Sequence, residues 1–223
     1  MKVLCLHGAF CSAETFKAQL GPLVKLLEKP GSIEFKWING FYTTEAPPTF
    51  GEYFGTAPHF RFFPSESKDF KDDPISSILN CPKGVTAEDT LRMLHNSHEV
   101  CYSQRIQPTM DMIFQVLEDD PEIEHATFFA GWPPFLRDND STKFALADEC
   151  DDIIAVPTCH VVGCNDPYID AALALYSICD EDTATLFDHG KGHTVPRDMK
   201  TMQELVSAIQ DTWTKAGKRL SCR

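Results

Sequence analysis

Val3-Leu4-Cys5-Leu6-His7-Gly8 decides the fold. Its apolar run, stopped by a polar residue and a glycine, reads as a buried strand leading into a loop. Downstream, Phe16, Leu20, Leu23, Val24 and Leu27 recur at helical spacing, and Pro30-Gly31 ends that helix. Residues 33–38 alternate as a strand does, up to Asn39-Gly40. Strand, helix, strand is the opening of a parallel sheet covered by helices on both faces.

The second half repeats the pattern. Residues 125–130 read as a strand closed by Gly131-Trp132-Pro133-Pro134, and 157–162 as another, ending at Gly163-Cys164-Asn165-Asp166. Residues 169–178 suggest a helix and 183–187 a last strand. Met199, Met202, Leu205, Val206, Ile209 and Trp213 form an amphipathic helix stripe. Thr86-Ala87-Glu88-Asp89 has the pattern of a helix capping box, and Met110, Ile113, Phe114 and Leu117 make a further stripe. Neither a repeat nor a linker divides the chain, so 1–223 reads as one domain.

Residues 41–82 break the pattern. They combine Pro47, Pro48, Pro58, Pro64, Pro74 and Pro82 with Phe50, Tyr53, Phe54, Phe60, Phe62 and Phe63. Aromatics need burial, so the segment reads as a lid or pocket wall, or else as a packed excursion without function.

A hydrophobic content of 43% supports a sizeable core. The 20 basic and 33 acidic residues give a net charge of −13, which argues against nucleic acid or an anionic membrane as partner. No run approaches the ~20 apolar residues of a membrane span. The N-terminus lacks a secretory pattern and Ser221-Cys222-Arg223 is not an S-K-L address, so a cytoplasmic location is expected. The nine cysteines contain no C-x-x-C pair, which leaves no zinc or thioredoxin-type motif and favours reduced, structural thiols.

Three loops carry the chemistry. His193, in Gly190-Lys191-Gly192-His193-Thr194-Val195-Pro196, sits between the last strand and last helix, where a general base has to be. Asp166 follows a strand and can orient that histidine; Asp166-Pro167 also looks like a helix N-cap with proline at N1. His7-Gly8-Ala9-Phe10 follows the first strand, where backbone N–H groups can face an oxyanion, or it is a tight turn without chemistry. With Ser103 upstream, the chain order serine, aspartate, histidine is that of the α/β-hydrolase fold.

Leu6-His7-Gly8, Phe128-Phe129-Ala130-Gly131-Trp132-Pro133-Pro134, His160-Val161-Val162-Gly163 with Asp166-Pro167, and Gly192-His193-Thr194-Val195-Pro196-Arg197 resemble the fungal family of serine hydrolases. That family groups lovastatin-pathway thioesterase-like and host-selective-toxin esterase-like α/β-hydrolases. The resemblance covers roughly residues 1–40 and 86–215. It implies an α/β-hydrolase, cofactor- and metal-free, with a Ser103, Asp166, His193 triad and oxyanion donors near Ala9 or Phe10 and at Gln104. It implies an acyl ester or thioester substrate, small or carrier-bound, in polyketide or toxin biosynthesis.

The nucleophile segment departs from the family's G-Y-S-[EQ]-G-A pattern. Tyr102-Ser103-Gln104 match its centre, while Cys101 and Arg105 replace its glycines. Those glycines allow close strand–helix packing around a strained nucleophile. The polar Asn96-Ser97-His98-Glu99 stands where an apolar strand is expected, and Pro108 falls early in the expected helix. Several accounts stay open here: an altered elbow with Ser103 still the nucleophile, an inactive relative binding an apolar metabolite, or residues 96–109 foreign to the native product. A Cys101 nucleophile is also chemically conceivable.

Overall fold

Among the described residues, six strands form two parallel three-stranded sheets that meet side by side, with helices on both faces. A computed structural model describes residues 1–8, 10–27, 33–40, 42–45, 57–61, 101–102, 124–133, 135–138, 141–144, 146–147 and 154–221. β1 (Lys2–Leu6) pairs in parallel with β2 (Glu34–Ile38), Leu6 opposite Ile38. Between them runs α1 (Ala13–Leu27). Then come the short strands β3 (Tyr42–Thr44) and β4 (His59–Arg61), an antiparallel pair. β5 (Cys101–Tyr102) pairs in parallel with the other side of β1, Tyr102 opposite Leu6, and lies alongside β6 (Ala126–Phe129).

β7 (Phe135–Asp138) and β8 (Ser141–Phe144) form an antiparallel hairpin. β9 (Thr158–Val162) pairs in parallel with β6 on one side and with β10 (Thr185–Asp188) on the other. α2 (Ile169–Ser177) lies between β9 and β10 in sequence, and α3 (Met199–Ser221) follows β10.

The apolar pattern dictates which helix covers which face. Side chains alternate along a strand, so odd and even positions face opposite ways. Val3 and Cys5 of β1, Phe129 of β6, and Cys159 and Val161 of β9 share one core with Phe16, Leu20, Leu23 and Leu27 of α1 and Leu205 and Ile209 of α3. On the other face His160 packs between the rings of Phe128 and Tyr176, the latter on α2. β1, β6 and β9 are buried on both faces, as expected of inner strands in a parallel sheet. β2 alternates exposed and half-buried residues, which suits an edge.

Several expectations are met and others corrected. The strands around 3–6, 33–38, 125–130, 157–162 and 183–187 are present, as are the helices after residues 12, 168 and 198. Asn96-Ser97-His98-Glu99, where the strand ahead of the nucleophile was expected to be missing, lie outside the described residues; Cys101–Tyr102 is a strand, held by main-chain pairing to β1. The β7–β8 hairpin had no counterpart in the sequence reading. The helices expected from Thr86 and over Met110–Leu117 lie outside the described residues. So does most of 41–82; its described part, β3 and β4, docks on the loop after β1 through a Phe60 N–H bond to the Cys11 carbonyl at 2.8 Å.

Cys5, Cys11, Cys159 and Cys179 are buried. Desolvation raises the Cys11 thiol to a pKa of about 11 and Cys179 to about 12, so both act as small hydrophobes and not as thiolates. Among the described residues, no helix is long and apolar enough to cross a membrane.

Buried histidines give the fold a pH signature. Desolvation lowers His160 to a pKa of about 3 and His125 to about 4. Below pH ~6.5 the unfolded chain takes up a proton at each site and the native chain does not until those lower values are reached. Stability therefore falls as pH falls from ~6.5 towards 4, by roughly 1.4 kcal/mol per pH unit for each histidine. Urea denaturation at pH 7 and pH 5 checks this: His160→Gln should show the shallower pH slope. Equal slopes in variant and wild type would contradict a neutral, buried His160.

Candidate active site at the carboxyl edge of the sheet

Because β6, β9 and β10 are parallel, the loops after them leave their sheet at the same edge, where α/β sheets bind ligands. The loop after β1 is fixed first. His7 is fully buried and bonded at both ring nitrogens: Nδ1–H donates to the Gly8 carbonyl at 2.7 Å, and Nε2 accepts the Gly40 N–H at 2.9 Å. That pairing fixes the tautomer, since an acceptor at Nε2 leaves the hydrogen on Nδ1. Burial lowers its pKa, foremost by desolvation, so His7 is a neutral strut between the β1 and β2 loops.

The chain then turns sharply. Phe10 is buried at φ 61°, a left-handed conformation that costs a non-glycine residue about 1–2 kcal/mol. Ser12 opens α1: its Oγ accepts the Thr15 N–H at 3.1 Å, and the Ala13 N–H reaches Asn39 Oδ1 at 2.8 Å. These bonds seat the helix N-terminus beside the strained loop. Ala9 and Gln104, the other oxyanion candidates, lie outside the described residues.

Asp166 and His193 meet. His193 Nδ1–H donates to Asp166 Oδ2 at 2.7 Å, the distance of a charge-assisted bond. The Asp166 side chain is 2% exposed and that of His193 28%. A carboxylate only accepts, so the hydrogen sits on Nδ1 and Nε2 is the nitrogen able to take a proton. Asp166 Oδ1 accepts the Tyr168 N–H at 2.9 Å. The cap reading is thus half right: the carboxylate closes the turn before α2, but the helix starts later, with Tyr168 at its N-cap position. The Tyr168 ring meets His193 edge-on at 5.5 Å and is backed by Trp132 from the β6 loop at 5.5 Å.

Residues that sequence reasoning passed over hold this pair together. Gly163 is the contact point of the two loops: a Cβ there would run into the Lys191 and Gly192 carbonyl oxygens and the His189 ring. The Lys191 carbonyl accepts the Asn165 N–H at 3.0 Å, and the Gly190 carbonyl accepts from Asn165 Nδ2 at 3.0 Å. Asp188 accepts from the Gly190 and Cys164 N–H groups, and the Gly190 bond foremost holds its carboxyl below the usual range. Asp198 accepts the Thr201 N–H at 3.0 Å as the cap of α3 and pairs with Lys191 at 2.9 Å, which anchors the histidine loop to the last helix.

Ser103 lies outside the described residues. What is described is the strand that leads to it, with Tyr102 opposite Leu6 and so level with the start of the His7-Gly8 loop. Cys101 belongs to that strand, short of its end.

Comparison with known proteins agrees with this arrangement. The family described as Serine hydrolase (FSH1) matches residues 1–73 and 100–205, the second block resuming just ahead of β5. Hydrolase phiM of Fungal sp. is 28% identical over 212 residues, covering 94% of each chain. Esterase FPY3 of Fusarium mangiferae is 23% identical, covering 97% of this chain and 98% of its own. Among solved structures, a Bacillus cereus carboxylesterase superposes with TM-score 0.51 at 12% identity, over 95% of this chain and 88% of that one. A Mesorhizobium loti carboxylesterase gives 0.50 at 13% identity, over 94% and 88%. The fold is therefore that of the α/β-hydrolases.

Gly163→Ala should force the two loops apart and cost about 1–3 kcal/mol, as overpacking does. A thermal unfolding midpoint equal to that of the wild type would show that the loops do not press on this glycine.

Proposed function

The chain belongs to the serine hydrolase (FSH1) family, and from that premise we propose that it hydrolyses a carboxylic ester or thioester through Ser103, His193 and Asp166. The observation that carries this reading is the 2.7 Å bond between His193 Nδ1 and the buried Asp166 carboxylate. It stands in the loops that follow β9 and β10.

In this mechanism Ser103 Oγ attacks the acyl carbonyl carbon while His193 Nε2 takes its proton. The bond to Asp166 keeps Nδ1 protonated and stabilises the imidazolium that forms. The oxyanion is met by backbone N–H groups of Ala9 or Phe10 and of Gln104. His193 then passes its proton to the departing alcohol or thiol, and water attacking through the same base frees the acid and restores Ser103. Neither metal nor redox cofactor enters the cycle.

The substrate class follows from the family resemblance and from relatives named as esterases. Among them are Esterase FPY3 of Fusarium mangiferae and Esterase citA of Monascus ruber, the latter 22% identical over 253 residues. We assign the chain to fungal secondary metabolism, on a polyketide or toxin acyl ester or a carrier-bound thioester. β3 and β4 pack beside the β1 loop through the Cys11–Phe60 bridge, which supports reading the 41–82 segment as a pocket wall.

Hydrolysis of short p-nitrophenyl esters and acyl thioesters tests the reading. Ser103→Ala and His193→Ala should each lower kcat by at least about 10³-fold. A fluorophosphonate probe should label the wild type and not Ser103→Ala. Equal turnover by wild type and Ser103→Ala would overturn the mechanism. Failure to label, together with saturable binding of an apolar ligand, would replace it with a non-catalytic binding protein.

A further inference from the structure

Asp188 ends β10 and is exposed, yet one of its oxygens has a specific task. Oδ1 accepts the Cys164 N–H at 2.9 Å and the Gly190 N–H at 2.8 Å. Those donors belong to different loops. Cys164 lies between β9 and Asp166, and Gly190 between β10 and His193. Gly190 sits at φ 72°, which lets its N–H turn back onto the carboxylate. One oxygen therefore joins the loop of the acid to the loop of the base.

We propose that Asp188 is a positioning residue that sets the spacing of these two loops and, through it, the contact between His193 and Asp166. This rests on the reading of His193 and Asp166 as the catalytic base and its orienting acid. Backbone bonds to an ionised carboxylate are stronger and shorter than neutral ones. The loops keep two other ties, from Asn165 N–H to the Lys191 carbonyl and from Asn165 Nδ2 to the Gly190 carbonyl. Asp188 is exposed, so water can satisfy the two N–H groups once the carboxylate is gone. Losing it should therefore loosen the geometry without unfolding the site. A small displacement of a general base is enough to slow the chemical step while substrate still binds.

The experiment compares Asp188→Ala, Asp188→Asn, His193→Ala and wild type. Asp188→Ala should lose about 10- to 100-fold in kcat with KM within about threefold of wild type. Its downfield imidazole N–H proton resonance, the signature of the His193–Asp166 bond, should shift or broaden. Asp188→Asn keeps an acceptor oxygen in the same place and should recover most of kcat and the resonance. If His193→Ala is inactive while Asp188→Ala keeps wild-type kcat and an unchanged resonance, the positioning role is overturned and the catalytic reading stands. The role is equally overturned if Asp188→Asn loses as much kcat as Asp188→Ala. If His193→Ala is as active as wild type, the catalytic reading itself falls.

Discussion

A carboxylate taken out of water must find donors, and Asp166, with a side chain only 2% exposed, organises this edge of the protein around that need. Its two oxygens take one hydrogen from the Tyr168 main chain and one from the His193 ring. The first comes from the turn that carries Asp166 itself. The second has to be delivered by a loop from another strand. The rest of the site is the means of that delivery: glycine at 163 so that the loops can touch, Asn165 and Asp188 to bond them together, and Lys191 to hold the outer loop to α3. Tyr168 and Trp132 close the apolar side, which keeps water from competing for the carboxylate.

Much of this scaffold could be read from the residues. β1 announces itself by the unbroken apolar run Val3–Leu6, because both its faces are buried. α3 announces itself by the stripe from Met202 to Ile209 that packs on the sheet. The pairing of Asp166 with His193 could be anticipated because each lies in a loop after a strand, in the chain order the α/β-hydrolases use. What stayed hidden were contacts between residues far apart in sequence. Nothing local marks Gly163 as the place where Lys191 comes closest, or Asp188 as a bond to Cys164. His7 was read as part of an oxyanion loop, and its two bonded nitrogens show that its ring has a structural task there.

The strand ahead of the nucleophile segment was hard to read for a related reason. A strand of two residues is too short to show any period, and its place is set by the edge of β1 rather than by its own composition. Polar Asn96-Ser97-His98-Glu99 therefore says nothing against Cys101–Tyr102. A strand position also suits Cys101, a small residue, where the family pattern has glycine. The family match resumes at residue 100 and so includes Ser103 and Arg105.

That short strand also bears on the order in which the molecule assembles. β1 and β2 come from residues 2–38, and β6, β9 and β10 from residues 126–188, so each group can pair with partners of its own. β5 comes from between them and lies against both. Joining Leu6 to Tyr102 closes a long loop, an entropic cost that must be met before the two halves share a sheet. On the ribosome the inner edge of β1 emerges early and waits, unpaired, until Cys101 and Tyr102 arrive. The seam of the sheet thus carries the longest loop closure among the described parallel pairings, and it is the strand that carries the chain to Ser103.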